Sequence, residues 1–194
     1  MAESVERKVV PPRKRAELDS GKGRNDESKA MKHNTITPLL QKAYAAELET
    51  VENYLANSVW LDGLRAREIA EALATDVAEE LGHAQKLAHR LKQLGACPPG
   101  SLDLPRNQKS LQPPADSTNL SSVVNGVLQA EREGIAIYKE IISTTEGVDP
   151  VTQELAIQIL ADEEEHRTLF EGFLKSLERT KKREGDLAVH TANA

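Results

Sequence analysis

Ala161-Asp162-Glu163-Glu164-Glu165-His166 is a run of four acidic residues closed by a histidine, set among strong helix formers. Glu163 and His166 are three residues apart and so share a helix face. By itself the run reads as the wet side of a helix. The apolar rows that cross it say otherwise. Ile159, His166 and Phe173 are spaced by seven, as are Ala156, Glu163, Phe170 and Leu177. A seven-residue repeat marks the side that a helix buries in a bundle. Glu163 and His166 therefore stand on the buried side, and Asp162, Glu164 and Glu165 fall at its edge or outside.

The same pattern recurs three times upstream. Leu40, Glu47 and Tyr54 form one row, and Leu73, Glu80, Leu87 and Leu94 another. Val124, Glu131 and Tyr138 form a third, beside Leu128, Ile135 and Ile142. Each of four helices thus turns one Glu inward, and two carry Glu-x-x-His: Glu80 with His83, and Glu163 with His166. Isolated buried carboxylates are too costly to keep ionised, so four in one core call for a compensating positive charge. Four Glu and two His in this arrangement are the ligand set of di-iron and di-manganese carboxylate bundles. Glu47 and Glu80 are 33 residues apart, Glu131 and Glu163 are 32, and a Tyr follows each lone Glu by seven. The chain reads as two similar helix pairs. Glu79 and Asp162 lie ~100° round the helix from the inward Glu, so the periodicity leaves them out. His33, His89 and His190 lack this context and are expected in solvent.

Composition and punctuation agree with an all-α fold. The chain has 194 residues, 29% charged and only 3% aromatic, a mixture that favours helices over sheets. Residues 1–34 hold nine Lys/Arg and six Asp/Glu with no apolar period, and are expected to be a disordered, weakly basic arm. Thr37-Pro38 is a cap-plus-Pro start for the first helix, which is expected to stop near Asp62-Gly63. The second runs from about Ala66 to Leu94 and ends at Gly95. Five prolines between Cys97 and Thr118 mark a long connection, expected to travel the length of the bundle. Thr118 or Asn119 caps the third helix, and Asp149-Pro150 opens the fourth, which runs to about Arg179. Residues 35–179 form the bundle, and 180–194 a flexible polar tail. Cys97 is the lone cysteine, which excludes an intrachain disulfide and cysteine-based zinc or redox sites. Met1 leads into charge and no apolar run is long enough for a bilayer, so a cytoplasmic protein without membrane contact is expected.

At these residues the chain resembles the ferritin superfamily, in particular the bacterioferritins and the Dps-like ferritins, over about residues 36–178. The matching pieces are Ala46-Glu47-Leu48 with Asn53-Tyr54, Glu80-Leu81-Gly82-His83-Ala84, Gln129-Ala130-Glu131, and Ile159 through His166. The resemblance implies a ferritin-like four-helix bundle with its long crossover between helices two and three. It implies two iron ions per subunit, with manganese the alternative, on Glu47, Glu80, His83, Glu131, Glu163 and His166. Glu80 and Glu163 would bridge, and Tyr54 or Tyr138 would hydrogen-bond a ligand or carry an electron. The implied activity is ferroxidase and iron storage: Fe(II) is oxidised by dioxygen or hydrogen peroxide inside a homo-oligomeric shell of twelve or twenty-four subunits. The rivals are a di-metal peroxidase or catalase-like enzyme without storage, and a DNA-protecting protein that meets nucleic acid through its basic arm. Leu81 follows Glu80 where haem-binding relatives carry a Met close by, so haem is not expected. Glu133 and Ile142 replace the thioferritin cysteine pair, and the tail lacks the apolar fifth helix of the larger shell.

Overall fold

The computed structural model describes the backbone of residues 22–192 and the side chains of residues 35–183 and 186. Four helices carry the described chain: α1 Lys22–Trp60, α2 Ala66–Gln93, α3 Leu120–Thr145 and α4 Pro150–Ala192. Two short 3-10 turns, Ser101–Asp103 and Lys109–Leu111, interrupt the crossover between α2 and α3. The described residues contain no strand, and no helix among them is long and apolar enough to cross a membrane.

The helix boundaries follow local chemistry. Gly95 takes φ 75°, and the Ala96 N–H reaches back to the Leu91 carbonyl at 2.9 Å while Gly95 N–H meets Lys92, which closes α2 in a left-handed cap. Asn119 caps α3 by accepting from the Ser122 N–H at 3.2 Å. Asp149 caps α4 by accepting from the Thr152 N–H at 3.0 Å. The same Asp149 takes both its oxygens to Arg90 Nη2 at 2.8 Å, tying the end of α2 to the start of α4.

Two boundaries differ from the sequence reading. Thr37-Pro38 does not start α1, because the helix runs through Pro38 from Lys22. A proline inside a helix forfeits one N–H and crowds the carbonyl four residues back, which its neighbours here tolerate. Helix α4 runs past Arg179 to Ala192, over a stretch that contains no proline to stop it. Residues 1–21 of the expected arm lie outside the described residues.

Helix α1 packs along α2 and α3 along α4, with α1 also meeting α3. The core falls into two apolar clusters. One gathers Tyr54, Leu73, Leu111, Leu128 and Phe170, and the other Leu40, Leu87, Tyr138, Ile141 and Ile159. The crossover is fixed to α1 by side chains that satisfy its irregular backbone. Glu49 accepts from the N–H groups of Asn107 and Gln108 at 2.9 and 3.0 Å, and Asn57 donates to the Leu111 carbonyl at 2.8 Å. Asn53 donates to the buried Gln108 side chain at 3.0 Å, and Trp60 to the Pro114 carbonyl at 2.7 Å.

The crossover also lies directly on α3. A Cβ on Gly126 would sit 2.4 Å from the Ser110 carbonyl oxygen and 2.9 Å from Leu111 Cα. Gly126→Ala is therefore expected to destabilise the fold by about 1–3 kcal/mol, the usual range for overpacking. Gly172→Ala, where a Cβ meets nothing within 4 Å, is expected to stabilise α4 by about 0.5–1 kcal/mol. Denaturant unfolding of both variants checks this, and equal shifts would contradict the packing.

Candidate metal centre

Glu47 from α1, Glu80 and His83 from α2, Glu131 from α3, and Glu163 and His166 from α4 are all buried, none more than 5% exposed. They meet between the two apolar clusters, so a polar layer crosses the bundle at mid-length. All six residues singled out by the seven-residue rows are brought together. Asp162 and Glu164 are half-buried and Glu165 is exposed, as the rows require. His89 is exposed, while His33 and His190 lie outside the described side chains.

Two groups of donor atoms form. His83 Nδ1 lies 3.7 Å from Glu47 Oε2, 3.6 Å from Glu80 Oε2 and 3.5 Å from Glu163 Oε1. His166 Nδ1 lies 3.3 Å from Glu80 Oε1 and 4.0 Å from Glu131 Oε1. Within each group the ligand atoms lie within 4.8 Å of one another, and Glu80 alone belongs to both. Glu163, expected to bridge as well, falls in the His83 group.

One oxygen each of Glu131 and Glu47 and the Nε2 of each histidine are held from outside, across the bundle. The Tyr54 hydroxyl on α1 donates to Glu131 on α3, and Tyr138 on α3 donates to Glu47 on α1. His83 Nε2 on α2 lies 3.2 Å from Asp162 on α4, and His166 Nε2 on α4 lies 3.4 Å from Glu79 on α2. With Nε2 keeping its proton toward the carboxylate, it is Nδ1 that gives up a proton to offer an inward lone pair to a metal. Asp162 and Glu79 are the functional residues that periodicity misses. Their signal was the acidic doublet in front of each Glu-x-x-His, Glu79-Glu80 and Asp162-Glu163.

Without a cation, protons do the compensating. Burial, reinforced by the charge of Glu47, holds the Glu80 and Glu163 carboxyls well above the usual carboxylate range. Burial likewise raises Glu131. For Glu47 burial is outweighed by hydrogen bonds with Glu80 and His83, and its acidity ends up strengthened. Burial opposes the charge on His83, yet the three carboxyls of Glu163, Glu47 and Glu80 around its Nδ1 push it up to about 12. His166 is also raised, because the charges of Glu131, Asp76 and Glu163 outweigh its burial. Burial and the neighbouring carboxylates hold both tyrosines protonated, so they remain donors.

The donor set fits a pair of metal ions. Glu80 Oε1, Glu131 Oε2, Glu163 Oε1 and both histidine Nδ1 atoms are buried with no hydrogen-bond partner. Unpartnered buried polar atoms are rare and costly, and here they converge. Carboxylate oxygen with imidazole nitrogen suits iron or manganese. Gly134 on α3 admits one of the carboxylates: a Cβ there would lie 2.9 Å from Glu163 Oε2. On its outer side Gly134 joins Ala46, Ala130, Glu49 and Glu133 in lining a cleft of about 330 Å³.

Four helices, one long crossover and an inward carboxylate on each helix define a ferritin-type bundle. The family model for the ferritin-like domain matches residues 38–180, and the chain belongs to that family. It is 32% identical over 143 residues to a DNA protection during starvation protein of Pyrococcus furiosus, covering 72% of this chain and 76% of the relative. Two solved structures share its fold. A dodecameric thioferritin, the bacterioferritin-related protein of Bacteroides fragilis, gives a TM-score of 0.68 at 24% identity, covering 81% of this chain and 98% of that one. A ferritin-like, diiron-carboxylate protein of Bacillus anthracis gives 0.65 at 20% identity, covering 74% and 97%.

Metal binding at this cluster is expected to release protons, since a metal needs the lone pairs that protons now hold. All the raised groups hold protons that a metal must displace, so affinity should rise as pH rises through neutral toward about 12, where His83 gives up its proton, and fall as pH falls. Adding Mn(II) to weakly buffered apo-protein at pH 7 should release more than one proton per subunit; none released would contradict the geometry.

Proposed function

We propose that this protein is a ferroxidase and iron-storage protein, which oxidises Fe(II) to Fe(III) with dioxygen or hydrogen peroxide as electron acceptor. The observation that carries this reading is the pair of donor groups sharing Glu80, with their unpartnered atoms turned toward one another. Glu47, Glu80, His83 and Glu163 hold one substrate ion; Glu80, Glu131 and His166 hold the other. The two ions supply the electrons that the oxidant takes up.

The protein's own groups set the conditions. Glu80 brings the two ions together by serving both groups. Asp162 and Glu79 fix the imidazole rings through Nε2 and keep Nδ1 free. Tyr54 and Tyr138 keep their protons at the site and hold Glu131 and Glu47 in place, which limits how far those carboxylates swing. The apolar clusters above and below exclude bulk water, which strengthens each charge interaction. The acidic chain, of net charge −6, draws cations toward it.

The shell we propose has twelve subunits, the number named for the Bacteroides fragilis structure. Leu55, Val59 and Leu64 are more than half exposed near the end of α1, and apolar groups of that kind suit subunit contacts. The 32% identity to a DNA protection during starvation protein keeps the DNA-protecting reading as the second one, while no specific observation favours the peroxidase. A monomer or dimer by native mass would move the balance to an enzyme without storage.

Anaerobic Fe(II) loading of apo-protein, followed by air or peroxide, tests the activity. The wild type should oxidise Fe(II) faster than buffer alone and gain mass as Fe(III) accumulates. Glu131→Ala should slow that oxidation, and an unchanged rate would overturn the assignment. Asp162→Asn should weaken metal binding by about 10–100-fold, the usual effect of removing a group that orients a ligand. Calorimetric titration with Mn(II) reads this directly.

A further inference from the structure

Residues 175–183 run against the charge of the rest of the chain. They carry five Lys/Arg and one acid, Glu178, in a protein of net charge −6. Lys175, Arg179 and Arg183 are spaced by four along α4 and share one face, with Ser176 and Thr180 beside them. Glu178 falls about 100° round the helix from Arg179, and Glu171 is engaged by Arg167 at 3.8 Å. Like charges four apart weaken a helix, so this face gains from an anion laid between them.

Arg65 joins these cations from the start of α2. With Ser176 and Thr180 they line a cavity of about 390 Å³ that opens to solvent, and no carboxylate lines it. Among the described side chains no carboxylate pairs with Arg65, Lys175, Arg179 or Arg183. Arg65 sits at φ 70°, the one positive φ outside glycine among the described residues. An arginine there gives up stability that glycine would keep. Its side chain reaches across to α4 in return: Nη1 donates to the Ser176 carbonyl at 3.1 Å and to Ser176 Oγ at 2.8 Å. Arg65 is also the N-cap of α2, and its side chain accepts nothing from the first turn. The positive end of that helix therefore stands at the edge of the cavity without a side-chain cap.

We infer that this cavity binds a small oxyanion of the inorganic phosphate class, held by four cations and two hydroxyls between the start of α2 and the C-terminal half of α4. A tetrahedral oxyanion accepts hydrogen bonds from several directions at once, and guanidinium groups present their donors in matching pairs. The bound anion offsets the repulsion along α4 and fastens the two helices at this end of the bundle. A recess of this size takes a single ion, whereas a duplex requires a basic stripe over an extended surface. None of these residues belongs to the metal centre, so the inference stands or falls independently of it.

Calorimetric titration of the metal-free full-length protein with inorganic phosphate, in a zwitterionic buffer at fixed ionic strength, tests it. The wild type should bind one phosphate per subunit; sulfate should compete, and chloride at equal ionic strength should not. Arg179→Gln, at an exposed position, should weaken phosphate binding by about tenfold, roughly the loss of one charge-assisted hydrogen bond. Arg65→Gly should weaken it by a similar factor, and should still fold, because glycine accepts φ 70° without strain. Lys181 turns away to Ser121 on α3 at 3.0 Å, so Lys181→Gln should leave the affinity unchanged. Equal losses in Arg179→Gln and Lys181→Gln would reduce the site to a general positive field and overturn it, as would phosphate binding no tighter than chloride. Short duplex DNA that binds tighter than phosphate and weakens by the same factor in Arg179→Gln would also overturn it, in favour of a nucleic-acid surface.

Discussion

Four carboxylates drawn into one dry layer of a helical bundle repel each other and lose their water, and the rest of the structure is arranged around that fact. Two histidines, two tyrosine hydroxyls and the protons held by the raised carboxyls offset it in the metal-free state. Each tyrosine comes from the opposite helix pair to the carboxylate it steadies. Tyr54 reaches from the first pair to Glu131 in the second, and Tyr138 reaches back to Glu47. The histidines are braced in the same crossed fashion by Asp162 and Glu79. The polar layer thus joins the halves as well as separating the two apolar clusters. Polar networks of this kind fix a register that oily contacts alone leave loose.

Precision in that layer depends on the helices being held at their ends and flanks. Arg90 and Asp149 fasten the far end of α2 to the start of α4. The crossover does the equivalent along the outer face of α1 and α3. Its backbone has no ladder of its own, so its polar groups draw on Glu49, Asn53, Asn57 and Trp60, while Leu111 plugs the core beneath. A long connection that would otherwise be loose becomes a strap across the bundle.

The sequence made the bundle legible because burial repeats every two turns of a helix. That repeat picked Glu47, Glu80, His83, Glu131, Glu163 and His166 as inward-facing, and the structure brings all six together. It failed where function depends on the edge of a stripe. Asp162 and Glu79 lie off the stripe of their own helices, yet they face a histidine of the opposite helix, and no single-helix period contains that relation. Glu49, Asn53 and Asn57 are invisible for a different reason: their partners are backbone and side-chain groups of a loop more than fifty residues away. The extents of α1 and α4 escape the pattern: Pro38 reads as a boundary and residues 180–194 as a polar tail, whereas the helices run through Pro38 and on to Ala192.

Gly134 is where the backbone of α3 comes up against the charged layer. Most helix positions near a core accept any side chain of suitable size, because neighbours can shift by a rotamer. Here the neighbour is a carboxylate that is needed where it is, 2.9 Å from where a Cβ would lie. The separation of α3 from α4 at this level is therefore set by a hydrogen atom. Helix α3 gives up about 0.5–1 kcal/mol of helical stability by having glycine there, and in return its backbone itself becomes the wall behind Glu163. That wall is one peptide thick, with the open cleft on its other side. Among the centre's neighbours, this is a position where a single added methyl group must displace the Glu163 carboxylate itself.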